Sequence, residues 1–352
     1  MLILGTRPEI IKLSPVIREY RARGLPWSVV HTGQHYSYEM DRVFFDELGL
    51  PDPEHNLEIG SGTHGVQTGR MLPAIEAVLM KERPRWVLVQ GDTNTVLAGA
   101  LAAAKLGIRV GHVEAGLRSY DRSMPEELNR VVADHVADLL FAPTRLSAEI
   151  LAKEGIPAAR VLVTGNTVVD AVLANAKLAR DPLGPMGLTR GGFLLLTAHR
   201  QENVDDAARF RSLVAGAAAA GRDLGLPVVY PAHPRARKML EGFKLETEGI
   251  RVVDPLGYLE FLALEAAARL VLTDSGGVQE ECCILKVPCV TLRDNTERPE
   301  TVHVGANQLA GVDSDRIRKA ARDMSSRPRT WENPFGDGRA GARIVDAVEA
   351  AA

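Results

Sequence analysis

Short apolar runs rich in β-branched residues recur along the chain, and none of them alternates cleanly between apolar and polar. In the first half they read LIL at 2–4, WSVVHTG at 27–33, RWVLVQ at 85–90, IRVGHV at 108–113, DLLFAP at 138–143 and RVLVTG at 160–165. A strand apolar on both faces must be covered on both faces. The stretches between the runs read as helices: TVLAGALAAAKLG is Ala/Leu-rich and closes on Gly107, and Pro125 opens another helix where a missing N–H does no harm. Strands alternating with helices in this way predict a parallel sheet sandwiched between helices.

The pattern breaks at DPLGPMGLTRGG, 181–192, with two prolines and four glycines, which reads as an interdomain linker. It then restarts with GFLLLTA, PVVYPA, IRVVDP, LVLTDS and PCVTLRD. At 352 residues the chain exceeds the roughly 250 to 300 at which a single core stops growing. The expectation is an α/β chain of two domains of similar plan, 1–180 and 181–352, with a C-terminal helix that packs back on the first.

Composition narrows the partners. Lys plus Arg number 42 against 45 Asp plus Glu, a net charge of -3 with no basic block, so neither a nucleic-acid surface nor an anionic-membrane anchor is marked. Of three cysteines, Cys282 and Cys283 are adjacent in an apolar stretch, which suits a reducing interior; the cytoplasm is the expected compartment. Gly5, Arg7, Pro8 and Glu9 end the first apolar run at once, and no segment reaches membrane-spanning length. A small soluble ligand is the expected partner.

In open parallel sheets ligands bind beyond the carboxyl ends of the strands. In the first half those ends are Gly5-Thr6-Arg7, Gly33-Gln34-His35, Gly91-Asp92-Thr93 and Glu114-Ala115-Gly116. In the second they are His199 to Asn203, His233-Pro234, Asp274 to Gly277 and Arg293 to Arg298. Two polar rims facing each other predict a cleft between the domains.

Within VGHVEAG, period-two alternation puts Val110, His112 and Glu114 on one face if the chain stays extended. His112 reads as a hydrogen-bonded core histidine. A carboxylate emerging from an apolar strand, Glu114, favours function over a plain pairing with Arg118. Asp92 reads either as a helix cap or as a site residue. Glu126 is balanced between a site residue and a surface partner of Arg130, four residues on. Carboxylates gathered in one dry cleft raise one another's pKa, which is how general acids and bases are made.

GTRPEIIK offers a tight turn, Arg7 and a helix N-terminus suited to phosphate. DSGGVQEE repeats the design: Ser275, Gly276 and Gly277 let backbone N–H groups approach a diphosphate, with Glu281 one turn further, in reach of a ribose. The two motifs together suggest a nucleotide diphosphate. GSGTHG, 60–65, matches a dinucleotide fingerprint, but the PEHNLEI before it is not the apolar strand that motif requires. His112-Val113-Glu114 with Pro288-Cys289 lacks the second cysteine of a zinc deaminase, since Leu292 stands there, and no other metal spacing occurs.

Read in order, GTRPEIIK, HTGQH, GDTNTVLAGALAA, GHVEAGLRS, MPEELNR, TGNTVVD, HRQEN, SGGVQEE and RDNTERPE resemble the non-hydrolysing UDP-N-acetylglucosamine 2-epimerases from Gly5 to about Gly311. The resemblance implies a glycosyltransferase-B-like pair of Rossmann domains and interconversion of UDP-GlcNAc with UDP-ManNAc, with no NAD, metal or other cofactor. It implies Asp92, Glu114 and Glu126 as catalytic carboxylates with His199 and Lys12 beside them. Arg7, Ser275, Gly276, Gly277 and Arg298 are implied as diphosphate contacts, Glu281 at the ribose and Phe261 near the uracil. Gln34, Arg70, Arg200 and His233 match residues that bind a second, activating UDP-GlcNAc in bacterial relatives.

Three departures stand out: Gln201 where the family usually has a second Arg, Asp205 where Gly is common, and a segment from Arg118 to Pro125 shorter than in some bacterial members. The expected partners are a UDP-sugar and a second copy of the chain, with no nucleic acid and no membrane. A 2-epimerase of UDP-2,3-diacetamido-uronate sugars, a hydrolysing epimerase, a retaining glycosyltransferase and a non-catalytic UDP-sugar sensor are the competing readings.

Overall fold

The computed structural model describes residues 1–34, 38–178 and 181–351, and of 38–41 the backbone alone. His35 therefore lies outside the described residues. The chain divides into two compact units, the first Met1–Leu173 with Phe335–Ala352, the second Ala174–Pro334. The Gly/Pro-rich stretch 181–192 lies inside the second unit and contains a one-turn helix, Leu183–Met186, ended by Gly187 in the left-handed conformation.

Seven strands form the first sheet: β1 Leu2–Leu4, β2 Val29–His31, β3 His55–Asn56, β4 Trp86–Gln90, β5 Arg109–Val113, β6 Leu139–Ala142 and β7 Val161–Val163. Their order is β3-β2-β1-β4-β5-β6-β7, and every pairing is parallel. Six more form the second: β8 Leu194–Thr197, β9 Val228–Pro231, β10 Ile250–Val253, β11 Leu270–Thr273, β12 Cys289–Thr291 and β13 Asn307–Leu309. Their order is β10-β9-β8-β11-β12-β13, again all parallel. These are the two Rossmann-like sheets of a glycosyltransferase-B-like chain.

The second sheet shows why its strands lack alternation. Leu194, Leu196, Val228, Tyr230, Leu270, Leu272 and Val290 pack on one side, with helices Ala207–Leu224 and Ser314–Ser325. Phe193, Leu195, Val229, Val271 and Cys289 pack on the other, with helices Tyr258–Ala267 and Gly276–Leu285. Successive side chains point to opposite faces, and both faces are dry.

In each sheet the chain runs outward on one side of its first strand and then returns to start on the other. That reversal lies between β1 and β4 in the first sheet and between β8 and β11 in the second. A crevice opens at such points beyond the strand ends. The last helix, Ala340–Ala350, lies against Arg7–Ala22: Gly341 leaves room for the backbone of Pro15, which a Cβ would approach to 3.0 Å. Among the described residues no helix is long and apolar enough to cross a membrane, and no cluster of three or more His, Cys, Asp or Glu could hold a metal.

Candidate functional site

At the first reversal β1 gives way to Gly5, where a side chain has no room: a Cβ would stand 1.9 Å from Thr32 Oγ1, itself 2.8 Å from Thr95 Oγ1. The helix Arg7–Ala22 then turns Glu9 back toward the strand end. Its Oε2 accepts from Gly5 N at 2.7 Å and Thr6 Oγ1 at 3.0 Å, and its Oε1 from Thr93 Oγ1 at 2.5 Å. Glu9 thereby ties the turn after β1 to the turn after β4. Burial pushes its pKa up to about 7, against the pull of those donors. Arg7 is exposed, its guanidinium 5.2 Å from the centroid of the Phe44 ring.

The chain does not stay extended through Glu114. Strand β5 ends at Val113, and Glu114 takes φ +69°, a left-handed conformation that a non-glycine residue adopts at some cost. The turn redirects its carboxylate, whose Oε2 accepts from Lys12 Nζ at 2.5 Å and Gln90 Nε2 at 3.0 Å. Arg118 is committed elsewhere, with Nη1 2.7 Å from Asp134 and two bonds to Glu154 at 2.8 and 2.7 Å. His112 is fully buried and hydrogen-bonded, between Asp134 and the Gly91 carbonyl.

Asp92 does not cap the helix Asn94–Lys105. That position belongs to Thr93, whose side chain accepts from Val96 N at 3.3 Å. The Asp92 carboxylate instead accepts from Arg130, a buried guanidinium whose Nη1 also donates to Glu127 at 2.7 Å. Glu127 further accepts from Ser119 N and Oγ and from Tyr120 N, at 2.9 to 3.0 Å, and so fixes the loop before its helix. Glu126, next to it, is half-buried in the first turn of helix Pro125–Val136. Strands β4 and β5 are neighbours, so Asp92 and Glu114 follow adjacent strand ends.

At the second reversal Asp274, fully buried after β11, accepts from His199 N at 3.2 and 3.1 Å, from Arg200 N at 3.1 Å and from Asn203 Nδ2 at 3.1 Å. It folds the loop after β8 into place and leaves the His199 ring about half exposed, with Nδ1 3.4 Å from the carboxylate. Ser275 caps helix Gly276–Leu285. Neither Gly276 nor Gly277 has a positive φ, and a Cβ at either would meet nothing closer than 3.7 Å. The fold itself makes no demand for glycine at these two positions.

Arg298 lies beside them: its guanidinium carbon would stand 3.8 Å from a Gly276 Cβ, and its Nε donates to the buried Glu280 at 2.6 Å. Glu281 accepts from the Tyr258 hydroxyl at 3.2 Å, and Phe261 is half-buried on helix Tyr258–Ala267. The second unit thus brings Ser275, Gly276, Gly277 and Arg298 together at one helix N-terminus, with Glu281 on the same helix.

The four residues matched to a second ligand fare differently. Gln34 is buried, its Oε1 accepting from Thr95 N at 3.2 Å and Thr95 Oγ1 at 2.8 Å, so that carbonyl is engaged in the fold. Arg70 is exposed on helix His64–Glu82. Arg200 Nε donates to the Asp274 carbonyl at 3.0 Å, and His233 is an exposed N-cap whose Nδ1 accepts from Arg235 N at 3.3 Å. Asp205 is paired with Arg235, and Gln201 opens the short helix Gln201–Val204.

Sequence reasoning missed Glu9, Glu127, Asp134 and Glu280, all buried acids. Glu9 and Glu127 look like ordinary first-turn helix acids. A better signal was their company, since each stands within a few residues of a proline and an arginine. Chemically, the first unit offers carboxylates held by lysine and arginine at adjacent strand ends. The second offers a helix N-terminus, capped by Ser275, with an arginine beside it, the chemistry of anion binding.

The family model described as UDP-N-acetylglucosamine 2-epimerase matches residues 18–349. A protein of Methanocaldococcus jannaschii named UDP-N-acetylglucosamine 2-epimerase is 54% identical over 98% of this chain and 97% of its own. A crystal structure of the Methanocaldococcus jannaschii UDP-GlcNAc 2-epimerase in complex with UDP-GlcNAc and UDP superposes with a TM-score of 0.93, at 53% identity and 99% coverage of both chains. A Pseudomonas aeruginosa UDP-2,3-diacetamido-2,3-dideoxy-D-glucuronate 2-epimerase is 45% identical over 98% of each chain.

Proposed function

The chain belongs to the UDP-N-acetylglucosamine 2-epimerase family, and we propose that it interconverts UDP-N-acetylglucosamine and UDP-N-acetylmannosamine by inverting C2. The observation that carries this reading is the placement of Asp92 and Glu114 beyond adjacent strands, each against a buried cation. The C2 hydrogen beside an acetamido group is not acidic. A carboxylate therefore takes it while the C1–O bond breaks: the C–H electron pair becomes the C1=C2 double bond and UDP departs with its own pair. UDP then adds back to the glycal while a proton reaches C2 from the other face.

In this reading Asp92, Glu114 and Glu126 are the proton carriers, with Lys12 holding Glu114 and His199 assisting. Arg7, Ser275, Gly276, Gly277 and Arg298 hold the diphosphate as its negative charge grows, which is where cationic and backbone donors act most strongly. Glu281 takes the ribose and Phe261 the uracil. The segment 1–180 carries the carboxylates and 181–352 binds UDP. Gln34, Arg70, Arg200 and His233 take a second UDP-GlcNAc weakly, since Gln201 stands next to Arg200 where the family usually has a second positive charge. The protein works in the cytoplasm as a homodimer; sedimentation of the purified protein tests the dimer, and cell fractionation the compartment.

The deciding experiment is NMR of UDP-GlcNAc with the protein in heavy water. Deuterium at C2 together with a UDP-ManNAc signal supports the reading. Binding without exchange would make the protein a sensor, and free ManNAc a hydrolysing enzyme. The Pseudomonas relative supports the alternative reading, a 2-epimerase of a UDP-2,3-diacetamido-uronate sugar, and a side-by-side assay of the two sugars separates them.

A further inference from the structure

His112 is fully buried on β5, and both of its ring nitrogens face acceptors. Nδ1 lies 2.7 Å from Asp134 Oδ1 and Nε2 lies 2.8 Å from the Gly91 carbonyl oxygen. A neutral imidazole has one N–H and one lone pair, so either tautomer would set a lone pair against an acceptor at hydrogen-bond distance. Asp134 does not supply the missing proton. Burial opposes its ionisation, but His112 and Arg118 beside it bring its pKa below the ordinary value.

We propose that His112 is held as a doubly protonated imidazolium and acts as a positioning residue, joining the turn that carries Asp92 to the turn that carries Glu114. Through Nε2 it grips the Gly91 carbonyl, one residue before Asp92. Through Asp134, whose Oδ2 accepts from Gly116 N at 3.2 Å, it reaches the turn that begins at Glu114. That turn is also held from outside, since Glu114 N and Ala115 N both donate to the Phe141 carbonyl, at 3.1 and 3.2 Å. The left-handed Glu114 needs such bracing from several sides.

The charges balance within the network. His112 and Arg118 are the cations, Asp134 and Glu154 the anions, and Arg118 joins the two carboxylates. A single buried charge without these partners would be strongly unfavourable. Burial works against the charged ring, as does Arg118 more weakly, and the Asp134 carboxylate together with the Gly91 carbonyl outweighs them, so the His112 pKa lies above its ordinary value. The imidazolium is therefore complete below the ordinary histidine range and is lost only as pH rises through that raised value.

The positioning half of the inference rests on Asp92 and Glu114 as proton carriers; the charge on His112 does not. Neutron diffraction from perdeuterated crystals near neutral pD tests the charge, with deuterium expected on both Nδ1 and Nε2. A bare ring nitrogen overturns the assignment, whatever reaction the protein catalyses. His112→Gln tests the positioning: with folding checked by circular dichroism, kcat for C2 epimerisation should fall on the order of 10²-fold, while KM moves little. Should that variant not fold, Asp134→Asn replaces it, leaving an acceptor and removing the charge. An unchanged kcat in the folded variant overturns the positioning role.

Discussion

Lys12 and Glu114 form a buried ion pair, with only 8% and 4% of their side chains exposed. Removing one member takes a partner from a charge that stays buried, which costs more than the pair itself is worth. Glu114→Gln should therefore destabilise the protein by about 3–5 kcal/mol as well as abolish turnover. The double variant with Lys12→Met should recover much of the stability and none of the activity. Urea unfolding of the three proteins checks this, and a stable, fully active Glu114→Gln would remove the residue from the site.

Asp92→Asn and Glu126→Gln probe the remaining carboxylates. Each should lower kcat by roughly 10²-fold or more, with UDP affinity far less affected. Asp92→Asn also weakens its contact with Arg130, so its melting temperature is measured beside its rate. Near wild-type turnover in both would end their assignment as proton carriers.

Gly276 separates binding from folding. Because a Cβ there meets nothing within 3.7 Å, Gly276→Ala should fold normally, and as a helix residue gain slightly in stability. If phosphate approaches the backbone at this point, the alanine and more strongly Gly276→Val will weaken UDP binding. Calorimetry showing unchanged UDP affinity for the folded valine variant would take this turn out of the diphosphate site.

Glu9 sets a pH dependence. The folded state keeps its proton up to about 7, whereas the unfolded chain loses it in the ordinary carboxyl range. Between those values the folded state binds the extra proton, so stability falls as pH rises and levels off above about 7, a change of about 3 kcal/mol. Glu9→Gln should flatten that slope. A pH series of urea unfolding in which wild type and variant run parallel would show that Glu9 titrates normally.

Activation by substrate is tested by starting from UDP-ManNAc and adding traces of UDP-GlcNAc. Modest acceleration is expected, because Arg70, Arg200 and His233 remain while the Gln34 carbonyl is engaged by Thr95. A rate already full without the trace would mean the second site does not regulate this protein.

The long apolar strands were legible because their residues carry the pattern themselves. Two edge strands were not: β3 is His55-Asn56 and β13 is Asn307-Gln308-Leu309, short and polar, set by their neighbours rather than by their own composition. The strand-end carboxylates could be read because a charge after an apolar run needs a reason. The turn at Glu114 could not, since nothing in EAG announces a left-handed glutamate before the glycine that ordinarily takes that conformation. Glu9 was hidden because its environment comes from Gly5, Thr6 and Thr93, brought together by the β1–β4 reversal.

The helix Ala340–Ala350 belongs to the unit built by the opening residues. It is bound there by Arg23 on Asp346 and by the Asp170 carboxylate, which accepts from Ala340 N and Gly341 N. On the ribosome, the first sheet emerges long before this helix does, and the whole second unit is translated in between. The surface of Arg7–Ala22 that the helix covers must wait, uncovered, through that interval. The two units therefore mature in the reverse of the order in which they begin, and a premature stop anywhere in the second unit leaves the first, not only the second, unfinished.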